Sequence, residues 1–385
     1  MLKSPFPYFG GKSRVAHEVW ARFGNVKNYV EPFFGSGAVL LSRPDEHFEA
    51  QMCVETVNDA CAYLANFWRA VQAAPDEVAR WADWPVSEPD LEARHRWLVL
   101  GPGAEHVAQV KADAEYFDAR TAGWWVWGIC QWIGSGWCAQ PHSSGAPVAQ
   151  MGNLSDGGTG VHKMPLLGNS GVGVHQERLV RKIPAVGDAV KGDERPCLHL
   201  PQQIPHLGHA GMGVHRPSRH GPAIQLPHVG DAGRVNPAPG VPDLYGAFEA
   251  LASRLRRVRV CCGDWSRIMG PSVTTKHGLT GVFLDPPYAA KERASVYATE
   301  TDCAADVRAW CLENGEDPQF RVALCGYEGE GHEVLEARGW SVLTWKARGG
   351  YGSQGGDTRG RTNPHRERIW FSPHCIQPDK QLSLF

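Results

Sequence analysis

The sequence lacks any apolar run approaching the roughly 18 residues that cross a bilayer, and its opening stretch, MLKSPFPYFGGKSRV, has no apolar signal core. Both absences point to a cytoplasmic chain. It also lacks a C-x-x-C pair, although it holds 11 cysteines, which argues against the common zinc and dithiol frameworks. Cys53, Cys261, Cys262 and Cys325 lie in apolar stretches, so reduced, buried thiols are expected. Strong net charge is missing too. A formal charge of -2 neither demands nor excludes a polyanionic partner, because local patches decide that.

With 385 residues, 42% of them hydrophobic and 21% charged, the chain has material for one large domain and a second module. Its composition changes sharply twice. Residues 1–79 and 241–375 alternate short apolar strands with amphipathic helices, the pattern of an α/β sheet, and read as two parts of one domain. Leu64, Phe67, Trp68 and Val71 repeat at helical spacing, as do Leu244, Phe248, Leu251 and Leu255; VRVCC and GVFL read as strands. Residues 80–140 are rich in tryptophan, culminating in GWWVWGICQWIGSGWC. They read as a helical part, with core packing the main use of those rings.

Residues 141–240 turn to Gly, Pro and His. Pro165, Pro184, Pro205 and Pro227 open similar units at spacings of 19, 21 and 22 residues. Short stacked strands and a flexible insertion both fit this composition. Nine of the 17 histidines lie between His142 and His228, yet no C-x2–4-C pair accompanies them to complete a zinc pattern, so no metal is expected. Residues 376–385 read as a flexible tail.

Three short motifs carry chemistry. YVEPFFGSGAV brings a strand into a turn at Gly35 and Gly37, where a ligand can approach the backbone at the carboxyl end of a parallel strand. No third glycine completes the dinucleotide fingerprint. Asp59 in VETVNDACAYL ends the next strand; its carboxylate suits a ribose diol, and a helix cap is the competing use. YFGGKS is not a phosphate loop, since Phe6 stands where that motif needs glycine. GVFLDPPY ends a buried strand in an acid, two prolines and a ring. An exocyclic amine on a heteroaromatic base is a poor nucleophile, because its lone pair is delocalised. Asp285 and the Pro286 carbonyl can accept its N–H bonds and localise that pair; Pro287 stiffens the turn and Tyr288 offers a stacking face.

PYFGGK, YVEPFFGSGAV, VND, GDW and FLDPPY, in this order, resemble the Dam-related (D12 class) DNA adenine N6-methyltransferases over about half of the chain. The resemblance implies an S-adenosylmethionine-dependent methyltransferase fold, a central mostly parallel sheet flanked by helices, with an inserted target-recognition region. It implies S-adenosylmethionine as cofactor. Tyr8, Gly11 and Lys12 would be N-terminal cofactor contacts, Glu31, Pro32, Gly35 and Gly37 the methionine-side turn, and Asp59 the ribose-binding acid. Asp264 would lie near the cofactor's adenine ring. Asp285, Pro286, Pro287 and Tyr288 would take the target adenine, with Asp285 also facing the cofactor. Target recognition would fall to residues 80–240, which are much longer here than in the short Dam pattern.

An enzyme acting on adenine in a duplex must turn the base out at a cost of a few kcal/mol, so phosphate clamps are expected. WKARGGYGSQGGDTRGRTNPHRER supplies Arg348, Arg359, Arg361 and Arg366 for DNA; a merely solvated loop is the alternative. In QLSLF, Gln381, Leu382, Leu384 and Phe385 resemble the peptide that docks bacterial proteins on the replication sliding clamp. The expected activity is methylation of the N6 amine of adenine in a short DNA sequence. N4-cytosine or RNA adenine methylation shares this chemistry. A decayed DNA- or clamp-binding module is the alternative of another class, and the intact Asp285 to Tyr288 and glycine turn argue against it.

Overall fold

The computed structural model describes residues 2–8, 10–49, 53–132, 137–138, 243–287, 303–345 and 366–377. Strand β1 (Asn28–Glu31) is buried along its whole length and lies in the interior of a sheet. It pairs in parallel with β2 (Val54–Asp59) on one side and β4 (Thr280–Leu284) on the other. Strand β3 (Val258–Cys262) extends the sheet beyond β2, and β5 (Phe320–Tyr327) extends it beyond β4, both in parallel. Parallel strands covered on both faces need continuous apolar runs, and TGVFL in β4 meets that need. The far side is closed differently. Strand β7 (Glu367–Phe371) runs antiparallel between β5 and β6 (Ser341–Thr344), giving the order β3-β2-β1-β4-β5-β7-β6.

Helix α1 (Ala16–Phe23) turns Val19, Trp20 and Phe23 into the core. A one-turn helix, α2 (Ala38–Leu41), follows β1, and α3 (Glu46–Glu49) precedes β2. Helix α4 (Ala62–Ala73) is buried on almost every side, from Ala62 through Val71. An all-round buried helix must have a layer above it. That layer comes from α5 (Pro75–Ala82), α6 (Glu88–Leu100), α7 (Pro102–Ala112) and α8 (Ala119–Gln131). Prolines in the first turns of α5, α6 and α7 fit because no intrahelical donor is lost there. Asp118 caps α8 by accepting from the Thr121 amide at 2.6 Å. Trp125 and Trp127 of α8 are buried in the same apolar cluster as Phe67, Trp68 and Phe248, so the tryptophan-rich stretch is continuous with the core.

Arg69 on α4 locks this layer to the sheet. Its guanidinium donates to the carbonyls of Val260, Val110 and Asp113 at 2.9–3.0 Å. Helix α9 (Leu244–Leu255) packs on α4 and α5 with Phe248, Leu251 and Leu255 inward. Helix α10 (Ala304–Asn314) lies between β4 and β5 in the chain and buries Val307 and Cys311. The ten described cysteines are free thiols, most of them buried; of the four that the sequence singles out, Cys262 and Cys325 are buried, whereas Cys53 and Cys261 are half-buried.

The early and late stretches of sequence are also tied by charge. Glu55 on β2, only 4% exposed, binds Arg43 at 3.0 Å and Arg254 of α9 through both oxygens, at 2.7 and 2.9 Å. A carboxylate shared by two guanidiniums is well compensated; removing it strands two poorly hydrated cations. Glu55→Ala is therefore expected to lower the unfolding free energy by about 3–5 kcal/mol, read from the denaturant midpoint. A change below about 1 kcal/mol would show that solvent replaces the carboxylate there.

Candidate active site

The strand order reverses between β1 and β4, because the chain leaves β1 for β2 on one side and returns to β4 on the other. Ligands of open α/β sheets gather at the carboxyl ends of strands at such a point. Here it opens a cleft whose wall includes Tyr8, Gly11, Lys12, Glu31, Pro32, Gly35, Asp59, Asp264, Asp285 and Pro287. Residues far apart in sequence therefore converge on one space.

The turn after β1 forms one edge. Gly35 (φ 48°) and Gly37 (φ 66°) adopt the left-handed conformation that side chains with a Cβ disfavour. A Cβ on Gly35 would approach the Tyr8 ring to 2.9 Å, and one on Gly37 would approach Phe34 to 2.8 Å. Gly37 itself is not in the cleft wall; it starts α2. Backbone bonds fix the turn from below. The Gly35 amide donates to Asp59 Oδ2 at 2.9 Å, its carbonyl accepts from Trp68 Nε1 at 3.0 Å, and the Phe34 amide donates to the Asn58 carbonyl at 2.9 Å. Asn58 Nδ2 in turn donates to the carbonyls of Pro32 and Gly263 at 3.1 and 3.0 Å.

Three acids lie at the strand ends. Glu31 is buried and accepts from the Tyr29 hydroxyl at 2.8 Å. Burial pushes its carboxyl well above the usual carboxylate range, against the Tyr29 bond, and the nearby Asp285 and Asp59 add to the rise. Asp59 accepts from the amides of Cys61 and Gly35; the helix cap itself is Cys61, without a side-chain bond, so Asp59 holds the turn before α4 rather than capping the helix. It also faces the cleft. Burial pushes its carboxyl up to about 6 despite those two donors. Asp285 follows β4; burial raises its carboxyl and the Lys12 ammonium opposes the rise.

Lys12, almost fully buried, puts Nζ 2.9 Å from Asp285 Oδ2 and donates to the Gly10 carbonyl at 2.7 Å. On the opposite wall Phe33 and Trp265 stack with centroids 6.1 Å apart and planes at 27°. Asp264 is exposed and accepts from the Ser266 amide at 2.9 Å, capping the short 3-10 turn Trp265–Ile268. Pro286 is buried and is not among the residues that line the cleft.

Sequence reasoning did not single out Asn58, Phe33, Trp265 or Glu367 of β7, whose Oε2 lies 3.9 Å from Lys12 Nζ. Asn58 and Trp265 adjoin Asp59 and Asp264, so their motifs held a signal; Glu367 had none. Arg366 sits over the Tyr327 ring at 5.5 Å and donates to the Glu328 carbonyl at 2.7 Å. Tyr288, Arg348, Arg359, Arg361, Gln381, Leu382, Leu384 and Phe385 lie outside the described residues, as do the repeats of residues 141–240. Among the described residues, no group of three or more His, Cys, Asp or Glu side chains could hold a metal, and no helix is long and apolar enough to cross a membrane.

Residues 8–83 match the D12 class N6 adenine-specific DNA methyltransferase family. The D12 match takes in Tyr8, Lys12, Glu31, the glycine turn and Asp59, and ends before the tryptophan-rich helices; it does not reach Asp285. The seven-stranded, mostly parallel sheet flanked by helices is consistent with a methyltransferase fold, the fold of the D12 class. The family supports DNA adenine methylation in general terms. No curated protein matches the chain.

Gly35→Ala is expected to lose about 1–2 kcal/mol from the left-handed backbone alone, with further loss from the Tyr8 contact. Chemical denaturation measures it, and Tyr8→Ala in the same chain should restore only the second part. Asp59 predicts a pH dependence. Its carboxyl holds a proton more tightly folded than unfolded, so its contribution to stability is full below pH 3.8 and lost as pH rises through about 6. Unfolding free energies measured across that window should fall with rising pH, less steeply in Asp59→Ala; an unchanged slope in the variant would assign the effect to other carboxyls.

Proposed function

We propose that the chain transfers a methyl group from S-adenosylmethionine to the N6 amine of adenine in a specific short DNA sequence, with the target base turned out of the duplex. One observation carries this reading: Asp285, at the end of β4, and the glycine turn after β1 open into the same cleft.

The residues present fit the cofactor. The glycine turn offers a backbone surface that a Cβ at Gly35 would fill with a clash. Asp59 uses one lone pair of each oxygen on backbone amides and retains others for ribose hydroxyls. The Phe33 and Trp265 rings provide an apolar wall beside Asp264 for a purine. Tyr8 covers the turn, and Glu31, pushed towards its neutral form, suits the amino-acid end together with Pro32 and Gly11. S-adenosylmethionine supplies the electrophilic methyl group when bound.

The protein's part is to prepare the amine. Asp285 and the Pro286 carbonyl accept its two N–H bonds, drawing nitrogen towards tetrahedral geometry and localising its lone pair. Aimed acceptors of this kind lower barriers by several kcal/mol. Pro287 restricts the turn, and Tyr288, by the family resemblance, stacks on the extruded base. In this reading residues 1–79 and 241–375 carry catalysis, residues 80–240 carry target recognition, and Arg348, Arg359, Arg361 and Arg366 contact DNA phosphates.

The test is base-resolved methylation sequencing of DNA from cells expressing the chain or its Asp285→Ala variant. N6-methyladenine in one short context, absent from the variant, is the expected result. Methylation at cytosine N4 would reassign the base, and equal methylation by the variant would overturn the role of Asp285.

A further inference from the structure

Glu367 opens β7 and sits opposite Tyr327 of β5 in the antiparallel ladder. Its side chain is 8% exposed and faces Lys12 Nζ at 3.9 Å, while the same ammonium lies 2.9 Å from Asp285. One cation therefore stands between two carboxylates, from strands on either side of β5. Such a cation does two opposed things to Asp285. It fixes the carboxylate's direction, and it drains the negative charge that makes the carboxylate a good acceptor for an amine.

We infer that Glu367 is a positioning residue for methyl transfer: by sharing the Lys12 ammonium it leaves the Asp285 carboxylate held in direction yet still negatively charged towards the incoming amine. The inference rests on the proposed methyl transfer and deepens it. With both acids ionised, the three side chains sum to one negative charge beside the reacting nitrogen, which becomes positive as the bond forms. Lys12 thus works at the amine end of the cleft, although its motif resembles a cofactor contact.

The other groups facing Asp285 leave the balance to these three. From β1, Glu31 is pushed by burial towards its neutral form. From β5, burial pushes the Cys325 thiol well above its ordinary value and the Tyr327 hydroxyl up to about 12. Glu330 and Arg366, of opposite sign, bear on Tyr327, and Asp59 bears on Glu31; for Asp285 itself the opposing causes are burial and Lys12.

Glu367→Gln keeps the side chain's shape and removes its charge. Lys12 then serves Asp285 alone, so the Asp285 carboxyl should titrate at lower pH. Carbon-13 carboxyl NMR of the ligand-free full chain, assigned with Asp285→Asn, reads this without any reaction. With tritium-labelled S-adenosylmethionine and plasmid DNA from a methylation-deficient host, kcat should fall roughly tenfold or more. The acid limb of kcat should move to lower pH, and the KM for the cofactor should stay put. Lys12→Met should move the acid limb the other way, and adding Glu367→Gln to it should change kcat little. An unmoved Asp285 titration in Glu367→Gln, or an equal further loss of kcat on the Lys12→Met background, would overturn the inference. If wild-type protein transfers no methyl group to DNA while the titration still shifts, the proposed function fails and the charge coupling stands.

Discussion

Asn58 and Asp59 are the pair on which the rest of the cleft depends. Strand ends do not hold themselves together; their last carbonyls and amides point beyond the ladder and need partners. Asn58 gives its amide hydrogens to the turn after β1 and to the turn after β3, and the Asp59 carbonyl takes the Gly263 amide. Asp59's side chain then takes the Gly35 amide and the first amide before α4. Three adjacent strands are knitted at one end by two neighbouring residues. The left-handed glycines, the aromatic wall at Trp265 and the cleft floor all inherit their positions from that knot.

The cost of this arrangement is electrostatic. Glu31, Asp59 and Asp285 share a poorly hydrated space; Lys12 answers Asp285, the Tyr29 hydroxyl answers Glu31, and backbone amides answer Asp59. Two of the acids sit well above their ordinary range as a result. Functional sites concentrate such strain, whereas the buried carboxylate of Glu55 meets two guanidiniums. In the helical layer Arg94 lies 4.1 Å from the Trp127 ring centre and Arg120 4.1 Å from that of Trp124. Ring faces attract guanidiniums, so tryptophans serve both as core and as counter-charge.

Much of the fold could be read from local pattern. The short apolar stretches of β3 and β4 and the spacing of Leu64 to Val71 and Leu244 to Leu255 announce strands and helices, because burial on a fixed side leaves a fixed period. Asp285 and Gly35 were legible because an acid with two prolines, or glycines after a strand, has few other uses. Glu367 was not, since register between strands distant in sequence and the antiparallel placement of β7 follow from tertiary packing. Lys12 shows the limit in another way. Its motif was plain, while its partner, Asp285, 2.9 Å away just past the end of β4, was beyond the reach of spacing.

The tie at Glu55 has a consequence for how the chain comes off the ribosome. Arg43 lies 12 residues from Glu55, while Arg254 lies 199 residues away. At roughly 5–20 residues per second, the second arginine follows about 10–40 s after the acid. The first strand pair can thus leave the exit tunnel with its buried acid already neutralised by Arg43. It then waits, one bidentate partner short, until the late half of the sheet arrives to dock on a surface whose charge has been balanced in advance.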